Sequence, residues 1–158
     1  MSSDEPEQVP VPLTRMFGAL LRIPFQALVE EIEIGLHAHG FGDLRPTHLT
    51  VFQHLPSEGD RLTRVAASAQ MTKQSMGELV RYLEQGGYLE RAPDPEDGRA
   101  SIVRRTERGW EVERVARESI AAKVNEWRTR IGGQEFDQML ETLEDLVALV
   151  EHDASDDR

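Results

Sequence analysis

The chain predicts a mainly α fold of the α+β class: a winged helix-turn-helix with a two-stranded wing, flanked by long N- and C-terminal helices. Three observations carry that prediction. Between Arg61 and Gly109 the signals run short helix, turn, second helix, Gly-Gly stop, strand, a turn of Asp, Pro and Gly, second strand and helix start. On both sides of this stretch apolar residues recur at three- and four-residue steps over lengths that only long helices accommodate. The charge is also divided. Residues 61–109 hold nine Lys and Arg against seven Asp and Glu, while the remaining residues hold 9 basic and 22 acidic side chains in a chain of net charge −11. A middle that can touch phosphate, set in an acidic remainder, is the pattern of a protein that meets nucleic acid at one place.

Length and composition bound the alternatives. At 158 residues with 39% hydrophobic side chains, one domain with its own core is expected. No apolar run approaches the ~18 residues of a membrane span, and neither end carries a leader or lipidation motif. A cytoplasmic protein with no membrane partner is the expectation. The absence of cysteine removes disulfides, thiolate nucleophiles and Cys-based zinc sites.

In chain order, residues 1–12 combine acids with prolines and predict a disordered acidic leader. From Leu13 to about residue 40 a stripe of Leu, Met, Phe and Ile keeps its helical phase across Pro24, which predicts a helix kinked and not broken there. Residues 46–55 form a second short helix with Pro46 in its first turn. The winged lobe spans 46–105. Its third helix, near Thr63–Ala69, turns Val65 and Ala66 inward. Its fourth follows Thr72, an N-cap residue, and buries Met76, Leu79, Val80 and Leu83. Gly86-Gly87 stops it. Tyr88–Arg91 and Ala100–Arg105 are the wing strands, reversed by Pro93–Arg99. Thr106 caps a long helix ending at Gly132-Gly133, and a last helix runs to about residue 151, before an acidic tail at 152–158.

The chemistry lies on the fourth helix and the wing. In a helix-turn-helix the second helix enters the major groove with its N-terminal residues over the base edges. Opposite the buried stripe stand Lys73, Gln74, Ser75, Gly77, Glu78 and Arg81. Gln pairs bidentately with adenine, Ser donates or accepts, and Lys or Arg reaches guanine or phosphate. Gly77 costs about 1 kcal/mol in a helix interior, so it serves a close approach by DNA or by a neighbouring helix. Arg99 at the wing tip can enter a narrow minor groove. Arg104 adds charge on the second strand, and Asp97 can hold the loop or Arg99 in place.

These residues resemble the MarR (multiple antibiotic resistance regulator) family. The likeness rests on Met71-Thr72-Lys73-Gln74-Ser75-Met76, Leu79-Val80, Leu83-Glu84, Gly87-Tyr88-Leu89-Glu90-Arg91, Asp94-Pro95-Glu96-Asp97-Gly98-Arg99-Ala100 and Thr106-Glu107-Arg108-Gly109. It is strong over about residues 44–115, and the flanking helices fit in order and length. The resemblance implies a single domain over 13–151, with 13–40 and 107–151 as dimerisation helices. It implies a homodimer, usually a repressor, that binds double-stranded DNA at an inverted repeat and lets go when a small, often aromatic or phenolic, effector binds. It implies base and groove contacts from Lys73, Gln74, Ser75 and Arg81 and wing contacts from Arg99; Thr72 and Arg104 beside them complete the expected DNA-contacting set. Two positions depart from the family pattern: Glu96 stands where many relatives have a basic wing residue, and Arg105 where they usually have Leu.

For the effector, a pocket is expected where the first and second helices meet the start of the fifth, lined by His37, Arg45, His48, Phe52 and Trp110. No metal site or cofactor is expected: His37 and His39 are two apart on a helix and do not share a face. No nucleophile elbow, P-loop or paired general acid and base appears, so enzymatic activity is not expected. The alternative to a regulator is a winged-helix protein-interaction module without DNA binding, for which the net charge argues.

Overall fold

The computed structural model describes residues 11–156. The elements are α1 (Val11–Ala38), α2 (Pro46–His54), α3 (Leu62–Ser68), α4 (Lys73–Gln85), β1 (Leu89–Pro93), β2 (Ser101–Arg105), α5 (Glu107–Ile131) and α6 (Gly133–Asp156). Of the expected leader, residues 1–10 lie outside the described residues, and Val11 and Pro12 already belong to α1. That helix runs continuously through Pro24. The chain divides into two compact units between Ser119 and Ile120, so α5 contributes its first half to one and its second half to the other.

In the first unit, α2, α3 and α4 pack on one another and α4 meets β1. Small residues at the centre of α3 allow this: Val65 and Ala66 are buried against the inward stripe of α4, Met76, Val80 and Leu83. Leu79, expected in that stripe, is only half-buried. Ile32 and Leu36 from the C-terminal half of α1, Phe41 and Leu44 from the following loop, and Val112 and Val115 from α5 complete the core.

β1 and β2 are antiparallel, in a register that sets Leu89 opposite Arg105 and Pro93 opposite Ser101. So small a ribbon needs support. It receives it from Asp60, whose backbone donates to the Val103 carbonyl at 3.0 Å and accepts from the Val103 amide at 2.8 Å. The preceding Gly59 has φ +86°, and a Cβ there would lie 2.5 Å from the Val103 carbonyl oxygen. Only glycine fits. A second close approach fixes α5: a Cβ on Gly109 would collide with the Tyr88 carbonyl oxygen. Thr106 caps that helix, its Oγ1 accepting from the Gly109 amide at 3.2 Å.

In the second unit Gly132 ends α5 and α6 begins at once. Arg128 on α5 clasps Asp137 on α6 through two parallel bonds of 2.9 and 2.6 Å, the bidentate geometry that fixes a guanidinium on a carboxylate. α6 continues to Asp156. The stretch from His152 read as tail is therefore helical as far as the description reaches, because no Gly or Pro after Gly133 stops the backbone ladder.

Candidate nucleic-acid interface

The site begins at the turn into α4. Gln70 takes a positive φ of 53°, which reverses the chain so that Thr72 arrives extended at the N-cap. Thr72 Oγ1 accepts from the Ser75 amide at 3.1 Å and donates to Ser75 Oγ at 2.9 Å. Two of the expected DNA-contacting side chains thus also build the cap that points the helix N-terminus outward. Lys73, Gln74, Ser75, Glu78 and Arg81 are all exposed. Gln74, Glu78 and Arg81 recur at i, i+4 and i+7 and so share one face. A Cβ on Gly77 would meet only Leu62 Cδ2, at 3.6 Å, an ordinary contact, so no neighbouring helix demands glycine there.

The basic side chains of the stretch divide sharply. Arg61 pairs with Asp94 and Asp97, Arg64 with Asp60, Arg91 with Glu84, Arg104 with Glu90 at 2.7 Å, and Arg105 with Glu113. Arg108 donates to Tyr88 Oη at 3.1 Å and lies over the Tyr88 ring. Among the described residues, the side chains of Lys73, Arg81 and Arg99 have neither an ion pair nor a hydrogen bond. Three of the four cations expected to contact DNA are therefore uncommitted, while Arg104 is engaged across the strand pair.

The wing loop is held from its base. The Asp94 amide donates to the Ala100 carbonyl at 3.0 Å and the Ala100 amide to the Asp97 carbonyl at 2.8 Å. Asp94 is 7% exposed. Its carboxylate accepts from the Glu96 amide at 2.9 Å and from Arg61 Nε. The Glu96 backbone bond first, and Arg61 second, hold its carboxyl below the usual carboxylate range. Asp97 accepts from the Arg99 amide at 3.1 Å and faces Arg61 at 3.5 Å. Asp97 thus sits in the turn beside Arg99. The buried anchor, Asp94, was missed; its Asp-Pro-Glu context, with an amide two residues on for the side chain to accept, was the available signal.

Arg105 is buried, not a surface base. Its Nη2 donates to the Phe52 carbonyl at 2.7 Å and the Leu55 carbonyl at 2.8 Å, and its Nη1 to the Pro56 carbonyl at 2.9 Å. The guanidinium therefore satisfies the orphan carbonyls at the C-terminus of α2. Its Nε stands 2.6 Å from Glu113 Oε2 on α5, and the group lies 4.7 Å above the Trp110 ring. One side chain from the wing base ties α2 to α5. Burial lowers its pKa and the Glu113 charge opposes that shift.

Each of the five residues expected to line an effector pocket has its own surroundings in the structure. Phe52 and Trp110 lie under the Arg105 guanidinium. His48 stacks on Tyr82 of α4, centroids 4.2 Å apart and 7° from parallel, and its Nδ1 accepts from the Arg45 amide at 3.0 Å. Burial lowers the His48 pKa; Asp43 opposes that shift and Arg45 reinforces it. The Arg45 side chain is exposed and His37 packs beside Gly42. A groove does open between α1 and α2, lined by Phe25, Val29, Thr47, Thr50 and neighbours; none of the five borders it. Among the described residues no group of three His, Asp or Glu is placed to hold a metal ion, and no helix is long and apolar enough to cross a membrane.

A capped helix presenting polar side chains outward, two packed helices behind it and a basic-tipped ribbon beside it define a winged helix-turn-helix. Residues 43–100, the stretch from just before α2 through the wing loop, match the MarR family model. No curated protein matches the chain. Among solved structures it is similar to the transcriptional regulator Tm0710 from Thermotoga maritima, at 25% identity over 89% of this chain and 98% of that one, with a TM-score of 0.64. CouR from Rhodococcus jostii RHA1 bound to p-coumaroyl-CoA is 25% identical over 89% and 95%, with a TM-score of 0.63. Streptococcus pneumoniae FabT in complex with DNA shares the fold, with a TM-score of 0.73 at 22% identity over 89% and 98%.

Proposed function

We propose that the protein is a sequence-specific DNA-binding transcription regulator, a homodimeric repressor that binds an inverted-repeat operator and is released by a small effector. The observation that carries this reading is the division of cations: the side chains of the stretch left without partners are Lys73 and Arg81 on α4 and Arg99 at the wing tip. Phosphate and base edges are the partners that those positions meet in a winged helix. Gln74 beside Lys73 supplies adenine recognition, and Thr72 and Ser75 present the helix N-terminus to phosphate.

The dimer rests on exposed apolar surface. Met16, Phe17 and Leu20 on α1 are 54%, 52% and 62% exposed, and Val147, Leu149 and Val150 on α6 are 55%, 63% and 61% exposed. A second copy covers such faces and sets two recognition helices about 34 Å apart on the duplex. Effector release works through α2, whose one side lines the groove with α1 and whose C-terminus Arg105 ties to the wing. An occupant that prefers a displaced α2 shifts the population away from the DNA-competent spacing.

A gel-shift titration with DNA upstream of the protein's own gene, at about 50 and about 200 mM salt, tests the reading. A sequence-specific shift that weakens steeply with salt is expected. No shift at micromolar dimer refutes it and leaves the protein-interaction alternative.

A further inference from the structure

The outward face of α4 carries one charge of the wrong sign for DNA. Of the two acids on this helix, Glu84 is partly buried and paired with Arg91 at 2.9 Å. Glu78 is exposed and, among the described residues, its carboxylate has neither an ion pair nor a hydrogen bond. The helix does not use that charge either. Glu78 is the sixth residue of α4, beyond the first turn in which the macrodipole favours an acid. The positions four residues away hold Gln74 and Tyr82, and Arg81, three residues on, does not pair with it. Glu78 instead shares the face of Gln74 and Arg81, about 6 Å along the axis from Gln74. That distance spans one to two base-pair steps of about 3.4 Å.

A carboxylate carried into the major groove at this position loses water and approaches phosphates of its own sign. Only a donor on a base edge offsets both. Guanine offers N7 and O6 and thymine offers O4, all acceptors, and adenine sets its N6 amine beside the N7 acceptor; cytosine alone presents an amine, N4, with no acceptor on its edge. We propose that Glu78 is a base-reading residue that selects cytosine in each half-site, one or two base pairs from the pair read by Gln74. The inference rests on the regulator reading. The same charge lowers affinity for all other sequences, so Glu78 acts on both sides of the difference that defines specificity.

The test selects duplexes from a randomised pool with the full chain and with Glu78→Ala, an exposed change to the best helix former that should leave the urea midpoint no lower. Wild type is expected to enrich a C·G pair at one symmetric position of each half-site, and replacing that pair to weaken binding about tenfold. Glu78→Ala is expected to lose the preference at that pair alone and to bind random DNA about threefold more tightly. Glu78→Gln, which keeps an acceptor without the charge, is expected to retain part of the cytosine preference with the same gain on random DNA. A half-site that Glu78→Ala selects unchanged, a preference lost at a pair other than C·G, or an equal gain in affinity on selected and random DNA overturns the proposal and leaves the regulator reading standing. No enriched sequence with wild type overturns both.

Discussion

Replacing Arg105 with leucine, the residue usual at this position in the family it resembles, measures what the buried guanidinium does. The variant loses three charge-assisted bonds, to the Phe52, Leu55 and Pro56 carbonyls at 2.7, 2.8 and 2.9 Å. It also loses the ion pair with Glu113 at 2.6 Å. Bonds to a charged group contribute about 1.5–3 kcal/mol each, while a buried leucine recovers about 2 kcal/mol. Breaking a buried pair typically costs about 3–5 kcal/mol. Arg117 still pairs with Glu113 at 2.5 Å, so the low end applies, about 3 kcal/mol. For a slope near 2 kcal/mol/M, that lowers the urea midpoint by about 1.5 M. Arg105→Lys keeps the charge but cannot span three carbonyls and a carboxylate, and falls between wild type and leucine. The salt slope of DNA binding is expected to be unchanged, because the group reaches no phosphate. A midpoint within about 0.3 M of wild type, or a slope reduced by about 1, refutes the assignment of Arg105 to the interior.

Lys73→Ala and Arg99→Ala are each expected to reduce the salt slope of DNA binding by about 1 with no change in urea midpoint. Gln74→Ala should cost about 1–3 kcal/mol of operator affinity and relax discrimination at one base pair; equal loss on operator and random DNA contradicts base readout. Gly77→Ala meets only ordinary contact with Leu62, so it should stabilise the fold by about 0.5–1 kcal/mol yet weaken the gel shift. Unchanged DNA affinity removes DNA approach as the reason for glycine. His48 has a folded pKa below its usual 6.5, so the unfolded chain takes up the proton first and the neutral ring's contribution is present above pH 6.5. It is lost as pH falls through the folded value. The midpoint difference between wild type and His48→Gln should therefore narrow from pH 7.5 to pH 5.5; a constant difference contradicts it.

The helices and wing were legible because their signals are local. Thr72 before a periodic run, Gly86-Gly87 after it and the Asp-Pro-Glu-Asp-Gly turn each act within a few residues, so every element of the lobe falls within a residue or two of its expected bounds. The role of Arg105 was not legible. Its partners lie 49 to 53 residues earlier in the chain, and a basic residue beside a basic wing strand looks like surface charge. Asp43 escaped for the same reason: its carboxylate accepts from Tyr88 Oη at 2.7 Å and its carbonyl from Tyr82 Oη at 2.8 Å. Both contacts reach 39 residues or more across the sequence. Among the aromatic and histidine side chains expected at an effector pocket, His48 stacks on Tyr82 and Phe52 and Trp110 lie under Arg105. The α1–α2 groove is lined by Thr, Gln, Val and Phe among others, types that carry no sequence signal.

The weak net basicity of the central stretch takes a different meaning once its partners are known. Charge counting treats nine cations as available to DNA, but most of them hold elements together. Arg61 fixes the wing loop through Asp94, Arg104 spans the strands to Glu90, Arg91 joins β1 to α4 through Glu84, and Arg105 and Arg108 reach α2 and Tyr88. The acids that lower the net charge of the lobe are largely the partners of these arginines, and their fields cancel close to the surface. What faces outward is Lys73, Gln74 and Arg81 on one rigid helix and Arg99 on an anchored tip. An acidic chain can therefore present a locally positive surface without net positive charge. Its attraction for DNA then depends on where those few side chains are held, and so on the ties through Asp94 and Arg105 that hold them.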